Sequence, residues 1–258
     1  MNKILIIPDI KDVEGTMSLQ KKYNLGFEYN DFNMPDVLDN KARVKEIITE
    51  YKKQDLPSYT TLHGAFFDVI PFSVDSKIRE ISLLRINQSI DAAREVGAGA
   101  VVFHTNYNPF LNSSDYIDNW IKQNTEIWQS VLKENGDISV YLENMFDISP
   151  DIIAGLAKKL SEYENFGLCL DWAHASVSGV KAEVWAKETG KYVRHIHIND
   201  NDLKSDLHLA WGDGKIERKM FYDCYDKYFS NATVLIETSS FENKLKSLQQ
   251  LEKDGFLK

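Results

Sequence analysis

Residues 167–174 read GLCLDWAH. The first half carries no charge and is mostly apolar, and it stops abruptly on Asp171, with His174 three residues further on. Short, nearly continuous apolar runs suit parallel strands, which pack inside a barrel on one face and are covered by helices on the other. Asp and His are not typical residues to close such a run. Seven more stretches fit the description: Lys3–Ile7 (KILII), Leu25–Tyr29 (LGFEY), Tyr59–His63 (YTTLH), Ala100–His104 (AVVFH), Ile138–Glu143 (ISVYLE), Val193–Ile198 (VRHIHI) and Thr233–Glu237 (TVLIE).

The segments between these runs carry a helical period. Val44, Ile47, Ile48 and Tyr51 recur at i, i+3, i+4 and i+7. Ile78, Ile81, Ile86, Ile90 and Ala93 mark a long helix after the third strand, and Phe241, Leu245, Leu248 and Leu251 form the last stripe. Ser149 reads as an N-cap with Pro150 at the first helical position, opening a helix through Leu160. Eight strands alternating with helices in 258 residues predict an α/β fold, a single (β/α)8 TIM barrel over residues 1–258. A doubly wound sheet is the alternative, but its Gly-rich first turn is missing from PDIKDVEG (8–15).

Composition narrows the function classes. The net charge is −9, and Lys and Arg are scattered in ones and twos, which weighs against a nucleic-acid partner. No apolar run is long enough to span a bilayer, and MNKILIIPDI reads as a first buried strand rather than a secretory signal. The two cysteines, Cys169 and Cys224, have no metal-knuckle or disulfide spacing, and a reduced, cytoplasmic protein is expected.

The strand ends carry the chemistry. The third to sixth runs end on His63, His104, Glu143 and Asp171, the seventh carries His197, and the eighth ends on Glu237. His174 follows Asp171, and Asp206 and His208 sit in the loop after the seventh run. A barrel gathers these ends on one face. Nine imidazoles and carboxylates on one rim would repel or stay unsatisfied without a cation, so a divalent metal site is expected. Zinc or manganese suits the donors, with magnesium, cobalt or iron as alternatives. His195, one layer deeper than His197, reads as a core histidine that donates to a neighbour. In the loop HINDNDLKSDLHLAWGDG (197–214), Asp200, Asp202 and Asp213 read as turn or capping residues, with Gly212 and Gly214 letting the backbone turn.

Seven motifs, TLHGAFFD (61–68), VVFHTNYNP (101–109), VYLEN (140–144), CLDWAH (169–174), HIND (197–200), DLHLAWGDG (206–214) and LIETS (235–239), together resemble the xylose isomerase-like TIM barrel superfamily. That superfamily holds metal-dependent sugar and sugar-phosphate isomerases and epimerases, and also the endonuclease-IV-type abasic-site nucleases. The isomerase branch implies one metal on Glu143, Asp171, His197 and Glu237. The nuclease branch implies three zinc ions, with His63, His104, His174, Asp206 and His208 completing the set. Leu207 stands where the nucleases carry an Arg, and Phe66 where they carry a DNA-probing Tyr. The Arg that many epimerases place after the seventh strand is also missing, leaving Lys204 and Lys215 in that loop.

The isomerase or epimerase branch is favoured, on the acidic charge and on Leu207. It implies proton transfer beside a carbonyl through an enediolate, with Glu143 and Glu237 as acid and base. His174 would hydrogen-bond the substrate, Phe66, Phe67, Tyr107 and Trp172 would wall it, and Lys204 would contact it. Its ligand would be a sugar or sugar phosphate, and a homo-oligomer is common among members. Abasic-site hydrolysis is the alternative.

Overall fold

A computed structural model describes residues 3–66 and 68–257. Eight parallel strands close into a barrel in chain order: β1 (Ile4–Ile6), β2 (Gly26–Tyr29), β3 (Thr60–His63), β4 (Ala100–His104), β5 (Ser139–Glu143), β6 (Phe166–Asp171), β7 (Val193–Ile198) and β8 (Thr233–Ile236). The helices are α1 (Val13–Tyr23), α2 (Pro35–Leu38), α3 (Lys41–Lys52), α4 (Ser76–Val96), α5 (Ser114–Glu134), α6 (Asp151–Leu160), α7 (Trp172–Val177), α8 (Ala182–Thr189), α9 (Arg218–Tyr228) and α10 (Phe241–Lys253). The expected (β/α)8 TIM barrel is the fold. Among the described residues no helix is long and apolar enough to cross a membrane.

Side-chain caps fix where several helices begin. The carboxylate of Asp12 and the amide oxygen of Asn40 accept backbone N–H groups of α1 and α3, and the Ser113 and Ser240 hydroxyls do the same for α5 and α10. Gly97 ends α4 at φ +90°, a left-handed turn that glycine adopts without strain. The core lies between the sheet and the helix layer and includes Ile86, Ile90, Trp120, Trp128, Leu156, Trp185, Phe221 and Leu248.

Three local expectations change. Ile78 and Ile81 are 43% and 51% exposed rather than part of the core stripe. The inward face of α4 at that level is taken by Ser82, whose hydroxyl accepts the Ile70 amide at 2.8 Å and so ties down the long loop after β3. The buried stripe is Ser82, Ile86, Ser89, Ile90 and Ala93. Phe241 opens α10 at 41% exposed, and its buried face is Lys244, Ser247, Leu248 and Leu251. Ser149 does not cap α6: its hydroxyl donates to the Asp151 carboxylate, and Pro150 is the cap residue, its carbonyl taking the Ala154 amide at 2.9 Å.

Candidate metal centre

The C-terminal ends of the strands share one face, and most of the ligand-type residues get there by sitting at or just past a strand end. His63, His104, Glu143 and Asp171 end β3, β4, β5 and β6. His197 is the next-to-last residue of β7, and Glu237 is the first residue past β8. His174 sits on α7, and Asp206 and His208 come from the loop after β7.

Glu143 is the hub. Its Oε2 lies 3.4 Å from both His104 Nε2 and His197 Nδ1 and 3.6 Å from His63 Nε2, and its Oε1 lies 3.6 Å from His174 Nδ1. Glu237 Oε2 is 3.6 Å from His197 Nδ1 and 3.9 Å from His208 Nδ1. Asp206 Oδ2 bridges His208 Nε2 at 2.8 Å and His174 Nε2 at 3.2 Å, and Asp171 Oδ1 lies 3.7 Å from His174 Nδ1. All nine expected residues therefore form one connected cluster.

The fit to a cation can be read from unpaired atoms. Glu143 Oε1 and Oε2, Asp171 Oδ2, Glu237 Oε2 and His197 Nδ1 are buried without a hydrogen-bond partner. Their four residues present ligand atoms all within 4.8 Å of one another, as do His63, His104 and Glu143. Buried anionic oxygens left unpaired are costly, and a cation among them removes that cost. Asp171 Oδ1 is already used, accepting the His174 amide at 2.6 Å as the cap of α7, which leaves Oδ2 facing the others.

The histidines are oriented from behind. His63 donates Nδ1–H to the Gly64 carbonyl at 3.0 Å, His174 to Asn144 O at 2.8 Å, and His208 to Glu237 O at 3.0 Å. Each bond puts a proton on Nδ1 and turns Nε2 to the cluster, toward Glu143 from His63 and toward Asp206 from His174 and His208.

Charge among these side chains is balanced by protons. Burial works to raise Glu143, but the charges of His197 and His104 outweigh it and hold the carboxylate well below its ordinary range. Burial likewise opposes the lowering of Glu237 by His197. Burial raises Asp171 against the pull of His174, and the charges of Glu237 and Glu143 add to the rise. The hydrogen bond to Asp206 holds His208 up at about 10. A raised histidine stabilises the fold fully below its ordinary pKa of 6.5 and stops doing so as pH climbs through about 10. A cation must displace such protons, so metal affinity is expected to rise steadily from about pH 6 toward pH 9. Equilibrium dialysis against manganese or zinc at stepped pH checks this, and an affinity flat with pH would contradict it.

Strand pattern had not marked Glu28 as part of the site. It is the one charge within LGFEY, and it is fully buried, with Oε2 accepting the Thr61 hydroxyl at 2.7 Å and His195 Nε2–H at 3.0 Å. Oε1 lies 3.1 Å from His197 Nε2, close but off the hydrogen-bond line. Asn144 was also missed, and its side-chain amide pairs with both the N–H and the C=O of Asp171. His195 is the core histidine expected, with Nδ1 2.5 Å from Thr233 Oγ1. Both its nitrogens are occupied, which argues against the neighbouring trio of Cys169, His195 and His197 as a separate metal site.

The expected substrate contacts divide. His174 lines a cavity of about 740 Å³ beside the cluster, with Ile70, Tyr107, Phe110, Met145, Phe146 and Asp147 among its other walls. Phe66 is half-buried, its ring edge-on to His63 and His104 at 5.5 and 5.3 Å. Trp172 is not at the substrate: it is 1% exposed and packs on Phe221 at 5.3 Å, because it follows inward-facing Asp171 and points to the helix layer. Lys204 is exposed on its loop and is not among the residues lining this cavity, its amide held by Asp202 Oδ1 at 2.9 Å. Phe67 lies outside the described residues. Asp200 does turn the loop, accepting the amides of Gly212 and Ile216, with Gly212 at φ +100°.

The chain is 28% identical over 202 residues to the uncharacterized protein MJ1311 of Methanocaldococcus jannaschii, covering 74% of this chain and 68% of that one. It is 28% identical to a probable endonuclease 4 of Mycobacterium leprae, covering 65% and 68%, and 27% identical to the fructoselysine 3-epimerase of Shigella flexneri, covering 69% and 67%. The crystal structure of a D-tagatose 3-epimerase-like protein superposes with a TM-score of 0.77 at 20% identity, over 97% of this chain and 96% of that one. The model of the xylose isomerase-like TIM barrel family matches residues 21–253, nearly the whole barrel with its ring of strand-end ligands, and the chain belongs to that family.

Proposed function

We propose that this protein is a divalent-metal-dependent isomerase or epimerase that moves a proton beside the carbonyl of an uncharged sugar. The observation that carries this reading is the cavity next to the cluster. It holds about 740 Å³, within the range of small-molecule sites, and among the described residues no Lys or Arg lines it. A phosphate or a polynucleotide backbone would meet Asp68 and Asp147 there, with His174 the one basic side chain among the described lining residues.

Glu143, Asp171, His197 and Glu237 would hold the metal. When bound, it supplies Lewis acidity to a carbonyl and an adjacent hydroxyl. Glu143 and Glu237 each keep an oxygen for proton work, one taking a proton from the carbon beside the carbonyl and the other returning it. His174 stands at the boundary of cluster and cavity, placed to hydrogen-bond the oxygen on which charge develops. Asp147 closes the far side: its Oδ2 accepts the Thr105 hydroxyl at 2.7 Å, and its Oδ1 is buried with no partner, ready for a substrate hydroxyl. Burial pushes this carboxyl up to about 6. The aromatic and aliphatic walls keep water from the reacting carbon.

A second reading, phosphodiester hydrolysis at abasic sites, draws on the convergence of all nine candidate ligands and on the likeness to endonuclease 4. One pair of assays separates the two. In D2O with manganese or zinc, a panel of neutral ketoses is expected to gain deuterium beside the carbonyl, read by NMR, and an abasic-site oligonucleotide is expected to stay intact. Rapid cleavage of the oligonucleotide with no exchange in any ketose would transfer the assignment to the second reading.

A further inference from the structure

We infer that Glu28 is a positioning residue for the metal centre: from β2 it fixes the tautomer and tilt of His197 so that Nδ1, and not Nε2, is the atom offered to the cation. The inference rests on the reading of His197 as a ligand.

The hydrogen-bond inventory of this layer leaves little choice. Glu28 is wholly buried, and both of its oxygens have assigned neighbours. Two donors converge on Oε2, the Thr61 hydroxyl at 2.7 Å and His195 Nε2–H at 3.0 Å. His195 is itself pinned, its Nδ1 facing Thr233 Oγ1 at 2.5 Å from the neighbouring strand. Oε2 is thus saturated and the carboxylate cannot rotate freely. Only Oε1 remains, and it faces His197 Nε2 at 3.1 Å. A carboxylate only accepts, so this contact, though off the hydrogen-bond line, favours the tautomer with the proton on Nε2. The bare nitrogen of a neutral imidazole is then Nδ1, which points to Glu143 at 3.4 Å and Glu237 at 3.6 Å. The other three histidines fixed from behind donate to backbone carbonyls. His197 alone among these four leans on a buried charge, which raises the basicity of the ligating nitrogen as well as aiming it.

Glu28→Gln tests this because it replaces one of the two accepting oxygens with a donor. With the amide oxygen toward Thr61 and His195, the NH2 lies against His197 Nε2. Donor then meets donor, and His197 is driven to the tautomer with its proton on Nδ1, the wrong nitrogen for the cation. Glu28→Asp keeps the charge, and Thr61→Val removes one of the two anchors while keeping the carboxylate. The measurement is a cobalt(II) titration of the whole metal-free chain, followed by its visible ligand-field absorption, with thermal melting of each metal-free variant alongside.

Glu28→Gln is expected to weaken cobalt binding about 10–100-fold and to change the absorption spectrum. Glu28→Asp should recover part of the affinity, and Thr61→Val should fall in between. Wild-type affinity and spectrum in the Gln variant would overturn the inference. So would a lowered melting temperature with affinity and spectrum unmoved, which is what a purely structural role produces. Should the Gln variant fail to fold, the Asp and Val variants decide, and unchanged affinity in both overturns it. Failure of the wild type to bind cobalt would instead remove the ligand assignment of His197 on which the inference stands.

Discussion

Glutamine at position 143 is expected to abolish solvent deuterium incorporation into the substrate, and glutamine at 237 to do the same by a narrower route. Loss of a general acid or base typically slows a reaction about 10²–10⁴-fold. Glu237→Gln should fall in that range, because Glu237 meets His197 and His208 but lies at the margin of the cluster. Glu143→Gln should fall further. Its two oxygens face His63, His104, His174 and His197, so the variant loses a proton carrier and the shared anion of four imidazoles together. Metal content separates the effects: Glu237→Gln should retain more of the wild-type metal than Glu143→Gln. Exchange persisting in both variants, with the barrel intact by circular dichroism, would exclude them as the acid–base pair.

Stripping the metal should have the second largest effect, and it should show in stability as well as turnover. A ligand that binds only the folded chain stabilises it by about 2.7 kcal/mol at a hundredfold excess over its dissociation constant. For a chain of this size that is about 5–10 °C in melting temperature. The buried, unpaired oxygens of Glu143, Asp171 and Glu237 are the physical source of the gain. Chelation should therefore lower the melting temperature by that amount, and zinc or manganese should restore it. A purified protein with no metal by elemental analysis, and no shift on adding either ion, would exclude the centre.

The barrel was legible because its strands are short apolar runs with unusual endings, and every such run became a strand within a residue or so at either end. GLCLD ends β6, and Phe166 merely joins it at the start. The ring of ligands was legible for the same reason: a strand end is a fixed place in a barrel, whatever the loops do. Glu28 was not legible. In a barrel both faces of a strand are buried, so strand alternation does not mark which charge points inward, and its partners Thr61, His195 and His197 lie 33 to 169 residues away in the chain. Trp172 misled because it adjoins Asp171 in sequence, but it opens α7, which turns its side chain onto Phe221 in the helix layer. Ile78 and Ile81 misled because the periodicity counted apolar residues, and the loop after β3 needed Ser82 on the inward face.

Asp171 has a consequence for how substitutions here are interpreted. One of its oxygens holds the first turn of α7, and the other faces the cluster. α7 in turn carries His174, so helix anchorage and the proposed ligation fall to a single side chain. An alanine at this position would unfasten a helix, displace a second ligand and remove the first, and its phenotype could not be assigned to any of the three. Asparagine keeps an acceptor for the His174 amide while giving up the anionic charge, which makes it the substitution that separates scaffold from chemistry.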